Sequence, residues 1–163
     1  MFFINEINKI IKENFDKNVG VFVDMDGVIA DYRFGEGEKI RNNTKNTYLN
    51  KRPIISTINV FNLLSEICDL YILSSCMFEE QIKEKNEWLD IHAPFFKTNK
   101  RMFVIAKENK ERKDLKILKI KNLINNEIID LAIMVDDTHD ILFAAKDILK
   151  NKLIPFHVIT VLD

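Results

Sequence analysis

The chain has little cysteine, proline, glycine or tryptophan: two, three, four and one among 163 residues. Two cysteines, Cys68 and Cys76, cannot make a disulfide framework, and neither has metal-ligand spacing to a histidine or to the other. Cys68 lies in an apolar stretch and reads as a small core residue; both read as free thiols of a reducing compartment. No low-complexity tract, internal repeat or interdomain linker is present. Neither sign of charge dominates: 24 basic against 25 acidic side chains give a net charge of -1. A whole-chain field of that size holds neither a nucleic-acid polymer nor an anionic membrane. Long apolar runs are absent as well. The opening MFFINEINKIIKENF has no basic leader and is interrupted at Glu6, so we expect a cytoplasmic protein with no membrane span.

What is present suits one domain. Apolar residues make up 47% and charged residues 30% of a length that supports a single core. Phe3, Ile4, Ile7, Ile10, Ile11 and Phe15 recur at helical spacing and predict an amphipathic first helix. Val19–Val23 is a short continuous apolar run, as in a strand buried on both faces. The polar stretch 31–52 has no clear period. Pro53 is then expected in the first turn of a helix reaching about Ile67. Further strands are predicted at 70–73, 102–106, 131–135 and 156–162. Helices are predicted at 78–92, at 109–124 and from Thr138, as cap, to about Lys150. Such alternation implies α/β architecture: a Rossmann-like parallel sheet of about five strands with helices on both faces, residues 1–163 forming one domain.

In such sheets ligands sit beyond the carboxyl ends of the strands. Chemical groups fall there. Asp24 ends the first strand and Asp26 follows it. Ser74 and Ser75 end the second. Lys107 and Lys110 follow the third, and Asp136 and Asp137 end the fourth. Clustered carboxylates are costly without a cation between them. Mg²⁺ fits, as a hard ion with oxygen ligands. A hydroxyl and an ammonium beside it suit an anion, most simply a phosphoryl group. Taken singly, each of these residues is also an ordinary turn or cap former; the joint pattern carries the inference.

At these residues the sequence resembles the haloacid dehalogenase-like phosphohydrolases. Their motifs match Asp24-Met25-Asp26-Gly27-Val28, Tyr71-Ile72-Leu73-Ser74, a lysine near a helix start, and Ile133-Met134-Val135-Asp136-Asp137. Within that superfamily it looks most like the 5'(3')-deoxyribonucleotidases and related small bacterial nucleotidases, through Asp24 to Asp31, Lys85 to Asp90 and Arg101 to Ile105. The stretch Glu108-Asn109-Lys110 aligns with the third motif and selects Lys110 over Lys107. The cap of that group lies between motifs one and two, so residues 31–52 are expected to form a small lid. The helix before the first strand is not part of the family pattern.

The resemblance implies a Mg²⁺-dependent phosphatase acting on a small phosphorylated substrate, a nucleoside monophosphate, with no stable nucleic-acid complex. Asp24 would be the nucleophile, forming an aspartyl-phosphate. Asp26 would protonate the leaving oxygen and then activate water. It would start protonated, its pKa raised by the crowded acids. Mg²⁺ would be held by Asp24, the Asp26 carbonyl, Asp136 and Asp137, and the phosphoryl oxygens by Ser74 and Lys110. Tyr32 and Phe34 are candidates for stacking on a base or for packing the lid, with Gly35 and Gly37 as hinges. Trp88 reads as core. The ten basic residues from Lys97 to Lys121 read as a solvated face. Two other functions use the same residues: a phosphatase for a larger substrate such as a polynucleotide end, and a non-catalytic receiver-type phospho-acceptor.

Overall fold

Parallel strands need a crossover between them, and the chain places at least one helix in each of these connections. A computed structural model describes residues 2–33 and 35–162. Five strands form one parallel sheet: β1 Val19–Val23, β2 Asp69–Cys76, β3 Arg101–Ile105, β4 Leu131–Asp136 and β5 Leu153–His157, in the order β3-β2-β1-β4-β5. The helices are α1 Phe2–Glu13, α2 Glu36–Arg41, α3 Ile55–Leu64, α4 Glu79–His92, α5 Asn109–Asn125 and α6 His139–Leu149. None is long and apolar enough to cross a membrane.

Strand alternation divides the core in two. Val21, Val23, Leu70, Ile72, Ile133 and Val135 face α1, α3 and α4, where Phe3, Phe61 and Trp88 are fully buried. Phe22, Tyr71, Leu73, Ala132 and Met134 face α5 and α6, meeting Ile117, Ile120, Ile141 and Leu142. The first helix therefore belongs to the core. Phe3 lies edge-on to Phe61 at 6.2 Å and to Phe156 at 5.3 Å, a burial that contributes about 1.5–3 kcal/mol. Phe15 does not share it: α1 ends at Glu13 and Phe15 is exposed.

Several element ends differ from expectation for tertiary reasons. β2 runs on past Leu73 because β3 continues the ladder, pairing Ser74 with Phe103, Ser75 with Val104 and Cys76 with Ile105. The last strand begins three residues early, where Leu153 pairs with Ala132; beyond His157 the chain winds into a short 3₁₀ stretch. Pro155 is tolerated because β5 is an edge strand. Pro53 precedes its helix instead of opening it. It bridges Ala30 while the Ile54 N–H donates to Ile29 O at 2.8 Å, so α3 starts at Ile55. Thr138 does occupy the cap position of α6, but its hydroxyl donates to Asp137 at 3.2 Å and not to the helix.

Chain order makes β1 and β4 neighbours, with β2 and β3 on one side and β5 on the other. That is a topological switch point, where connections diverge and leave a crevice. The insertion 31–52 closes one side of it. Gly35, at φ +84°, starts α2 inside the insertion, a helix that the polar sequence did not announce. The insertion is fastened to α4. Gln81 Nε2 donates to Ile40 O (2.9 Å), the Asn46 and Tyr48 N–H groups donate to Glu84 (2.6 and 2.9 Å), and Trp88 Nε1 donates to Lys51 O (2.9 Å). Gly37 sits within α2 and is no hinge. A methyl there would meet the Tyr32 hydroxyl at 3.3 Å and the Arg41 guanidinium at 3.4 Å.

Candidate active site

The crevice at the switch point holds the acids. Asp24 leaves the end of β1, its N–H donating to Val135 O of β4 at 2.9 Å. Asp136 ends β4 and is completely buried, with its Oδ1 accepting the Thr138 N–H at 2.9 Å. Carboxylate oxygens of Asp24, Asp136 and Asp137 all lie within 4.8 Å of one another. Gly27 makes room for this: at φ +76°, a Cβ in its place would stand 2.2 Å from Asp137 Oδ2. Glycine is thus required both for the turn and for the neighbouring acid.

One lysine answers the cluster. Lys116, buried on α5, places Nζ 2.8 Å from Asp136 Oδ2 and 3.1 Å from Asp24 Oδ1. Two of its neighbours remain under-neutralised. Burial pushes the Asp24 carboxyl above its ordinary pKa; Lys116 opposes this, while Asp136 and Asp26 add to it. Burial and Asp24 likewise raise Asp137. Asp24 Oδ1 is buried, and the Lys116 ammonium that reaches it is shared with Asp136. Three carboxylates converging within 4.8 Å with a single lysine among them fit a hard divalent cation, with oxygen ligands from Asp24, Asp136 and Asp137.

Asp26 is in different company. Its Oδ2 accepts from Lys85 Nζ at 2.6 Å, and Lys51 Nζ lies 3.3 Å from its Oδ1. Burial pushes this carboxyl up, but Lys85 and Lys51 outweigh it and hold the pKa below the usual value. The expectation of an Asp26 raised by crowded acids is therefore corrected: the crowding acts on Asp24 and Asp137. Lys85 is itself fully buried. Burial alone would lower its pKa, and Asp26 reverses that. Lys51 also binds Glu36 Oε2 (2.6 Å) and Asp31 O (3.2 Å), so it joins the insertion to Asp26.

The cleft has a volume of about 610 Å³. Asp24, Asp26, Tyr32, Tyr48, Ser75, Lys116 and Asp137 line it. Two expected anion ligands are placed elsewhere. Lys110 is exposed in the first turn of α5 and does not line the cleft; Lys116, six residues on, does. Ser74 is buried on the α4 face of β2, where its Oγ accepts from Lys85 at 2.8 Å. Ser75, on the opposite face with Lys116, lines the cleft. Tyr32 is half exposed at the cleft, with Lys51 Nζ 4.8 Å from its ring centroid. Tyr48 is buried beside it, 4.4 Å from Lys85 Nζ. Phe34 lies outside the described residues.

No family model matches the chain, and no curated protein matches it. Solved structures do. A haloacid dehalogenase-like hydrolase of Burkholderia xenovorans superposes with a TM-score of 0.54 at 15% identity, over 85% of this chain and 80% of that one. A haloacid dehalogenase-like family protein of Streptococcus pneumoniae gives 0.53 at 13%, over 88% and 96%. The class C acid phosphatase of Bacillus anthracis, solved with tungstate bound, gives 0.55 at 14%, over 96% and 77%. The fold is that of the haloacid dehalogenase-like hydrolases. On this fold the first and fourth sequence motifs converge through Asp24, Asp136 and Asp137.

Lys116, Lys85 and Lys51 were missed by sequence reasoning. A signal existed for two of them. Lys116 shares a helical stripe with Ile120 and Ile124, four and eight residues on, and Lys85 shares one with Gln81, Trp88 and Leu89. A lysine on an apolar stripe has to find a buried carboxylate.

Proposed function

We propose that the protein is a Mg²⁺-dependent phosphomonoesterase that acts on nucleoside monophosphates through an aspartyl-phosphate on Asp24. The observation that carries this reading is the Asp24 carboxylate. It sits buried at the switch point, clustered with the Asp136 and Asp137 carboxylates around the single ammonium of Lys116. The nucleotide part rests on the Asp24 to Asp31 motif and on the aromatic and apolar lining outside the acids, Tyr32, Ile40, Met77 and Ile141, which offers a surface to a base. The two free thiols suit a reducing cytoplasm.

When bound, the cation supplies charge neutralisation, which lets an anionic carboxylate approach an anionic phosphoryl group. The residues of the chain do the rest. Asp24 attacks phosphorus, and the bond to the leaving oxygen breaks. Lys116 and Ser75 take the anion-binding roles expected of Lys110 and Ser74, stabilising charge on the phosphoryl oxygens. Asp26 lies beside Asp24 and is ionised at rest. It is ready to take the proton of the water that hydrolyses the aspartyl-phosphate. The leaving alcohol needs a proton earlier; a substrate binding as its phosphate monoanion brings one, relayed through Asp26.

The test is a panel of phosphate esters, including p-nitrophenyl phosphate and deoxynucleoside monophosphates, assayed with and without Mg²⁺. Turnover should need the metal and include the mononucleotides. Asp24→Asn should abolish it while circular dichroism stays unchanged. Activity surviving in Asp24→Asn would remove the nucleophile, and a stable phosphoprotein with no turnover would favour the receiver-type function.

A further inference from the structure

The acids of the cleft floor have their own cations: Asp24 and Asp136 share Lys116, and Asp26 holds Lys85 and Lys51. Three more cations line the same cleft. Arg41 comes from the end of α2, Lys107 from the β3–α5 connection and Arg112 from α5. Glu108 lines it with them. Among the described residues, none of the three cations is ion-paired with a carboxylate.

Their placement is ordered. Arg112 precedes Lys116 by four residues on α5, so the two share a stripe, and Arg112 stands about 6 Å closer to the helix start. That helix starts at the carboxyl edge of the sheet, so Arg112 is one turn outward from the ammonium that reaches Asp24. The Arg112 Nε is buried and donates to nothing. A charged N–H sequestered from water without an acceptor is costly. An ordinary solvated arginine would not incur that cost. Lys107 is fixed at its backbone, where its N–H donates to Glu111 Oε2 at 3.1 Å. Arg41 comes from α2 of the insertion, with one guanidinium nitrogen 3.4 Å from where a Gly37 Cβ would stand. Guanidinium groups brought to one cleft from two different elements suit a shared phosphate.

We propose that Arg41, Lys107 and Arg112 form a second anion subsite. It takes a phosphate other than the one hydrolysed, so the favoured substrates are nucleotides carrying two phosphates. This inference rests on the phosphatase reading for the identity of the first phosphate. The second is a monoester on the same sugar or a phosphodiester to a following nucleotide.

The experiment compares kcat/KM for thymidine 5'-monophosphate, thymidine 3',5'-bisphosphate and the dinucleotide pTpT. It uses the Mg²⁺-loaded wild type and the variants Arg41→Gln, Lys107→Gln and Arg112→Gln. The readout is the ratio of doubly to singly phosphorylated substrate. It should be about 10 or more in the wild type, as expected for charge-assisted contacts, and should fall toward unity in Arg112→Gln. Preference for the bisphosphate or for pTpT identifies the source of the second phosphate. A wild-type ratio near unity, or a ratio untouched in all three variants, overturns the subsite. If p-nitrophenyl phosphate is turned over while the ratio is unity, the subsite falls and the phosphatase reading stands. If nothing is hydrolysed, calorimetric titration of Asp24→Asn with the monophosphate and the bisphosphate decides. Tighter bisphosphate binding that Arg112→Gln removes upholds the subsite, and equal binding rejects it.

Discussion

Replacing Lys85 with methionine should destabilise the protein by about 3–5 kcal/mol, the usual cost of stranding a buried charge. Lys85 Nζ lies 2.6 Å from Asp26 Oδ2, and Lys51 Nζ lies 3.3 Å from its Oδ1. At an effective dielectric constant of about 20 these separations correspond to gross attractions of roughly 6 and 5 kcal/mol, each offset by desolvation. Removing Lys85 therefore takes away the larger share of what keeps Asp26 ionised. Removing the carboxylate instead, in Asp26→Asn, strands Lys85, which also contacts Ser74 Oγ at 2.8 Å and Ser75 O at 2.9 Å. The double variant Asp26→Asn/Lys85→Met strands neither. It should be no less stable than the worse single variant, which requires a coupling of about 3 kcal/mol. Urea unfolding at neutral pH, with the midpoint read at constant slope, measures all three. Additivity within about 0.5 kcal/mol would refute the argument.

Three other outcomes follow from the site. Lys116→Met should lower kcat by about 100-fold or more, while Lys110→Met, at an exposed position, should change it less than 2-fold; the reverse order would return the role to Lys110. Gly27→Ala should cost about 1–3 kcal/mol of stability for its left-handed backbone and weaken Mg²⁺ binding by displacing Asp137, both readable in a thermal melt with and without the ion. The acids oppose one another in pH dependence. Asp26 has a lowered pKa, so its stabilisation is present above the unfolded carboxylate value of about 4 and is lost as pH falls through the folded one. Asp24 and Asp137 are raised, so metal-free stability is lost as pH rises from about 4 through their folded values. Mg²⁺ should therefore raise Tm more at pH 7 than at pH 4, and an equal rise at both would contradict the assignment.

The acids were readable because each ends an apolar run, and a strand buried on both faces can stop on a carboxylate only at the sheet edge. Asp24, Asp136 and Asp137 follow from that rule alone. Ser74 and Ser75 were harder, since adjacent strand residues point to opposite faces and nothing in the local pattern says which face carries the cleft. The lysine was harder still. Between Lys107 and Lys121 seven basic residues precede or occupy α5, and lysine is ordinarily exposed. Only the match of Lys116 to the isoleucine stripe distinguishes it. Lys51 left no pattern at all. Its partners Asp26, Asp31 and Glu36 are 15 to 25 residues away in sequence and meet it through the path of the insertion.

Lys51 gives that path an electrical meaning. The same ammonium that ties down Glu36 and the Asp31 carbonyl also touches Asp26. Lifting the insertion from α4 would strip a positive charge from the acid beneath it, so a mechanical opening of this face would register as a shift in the proton affinity of Asp26.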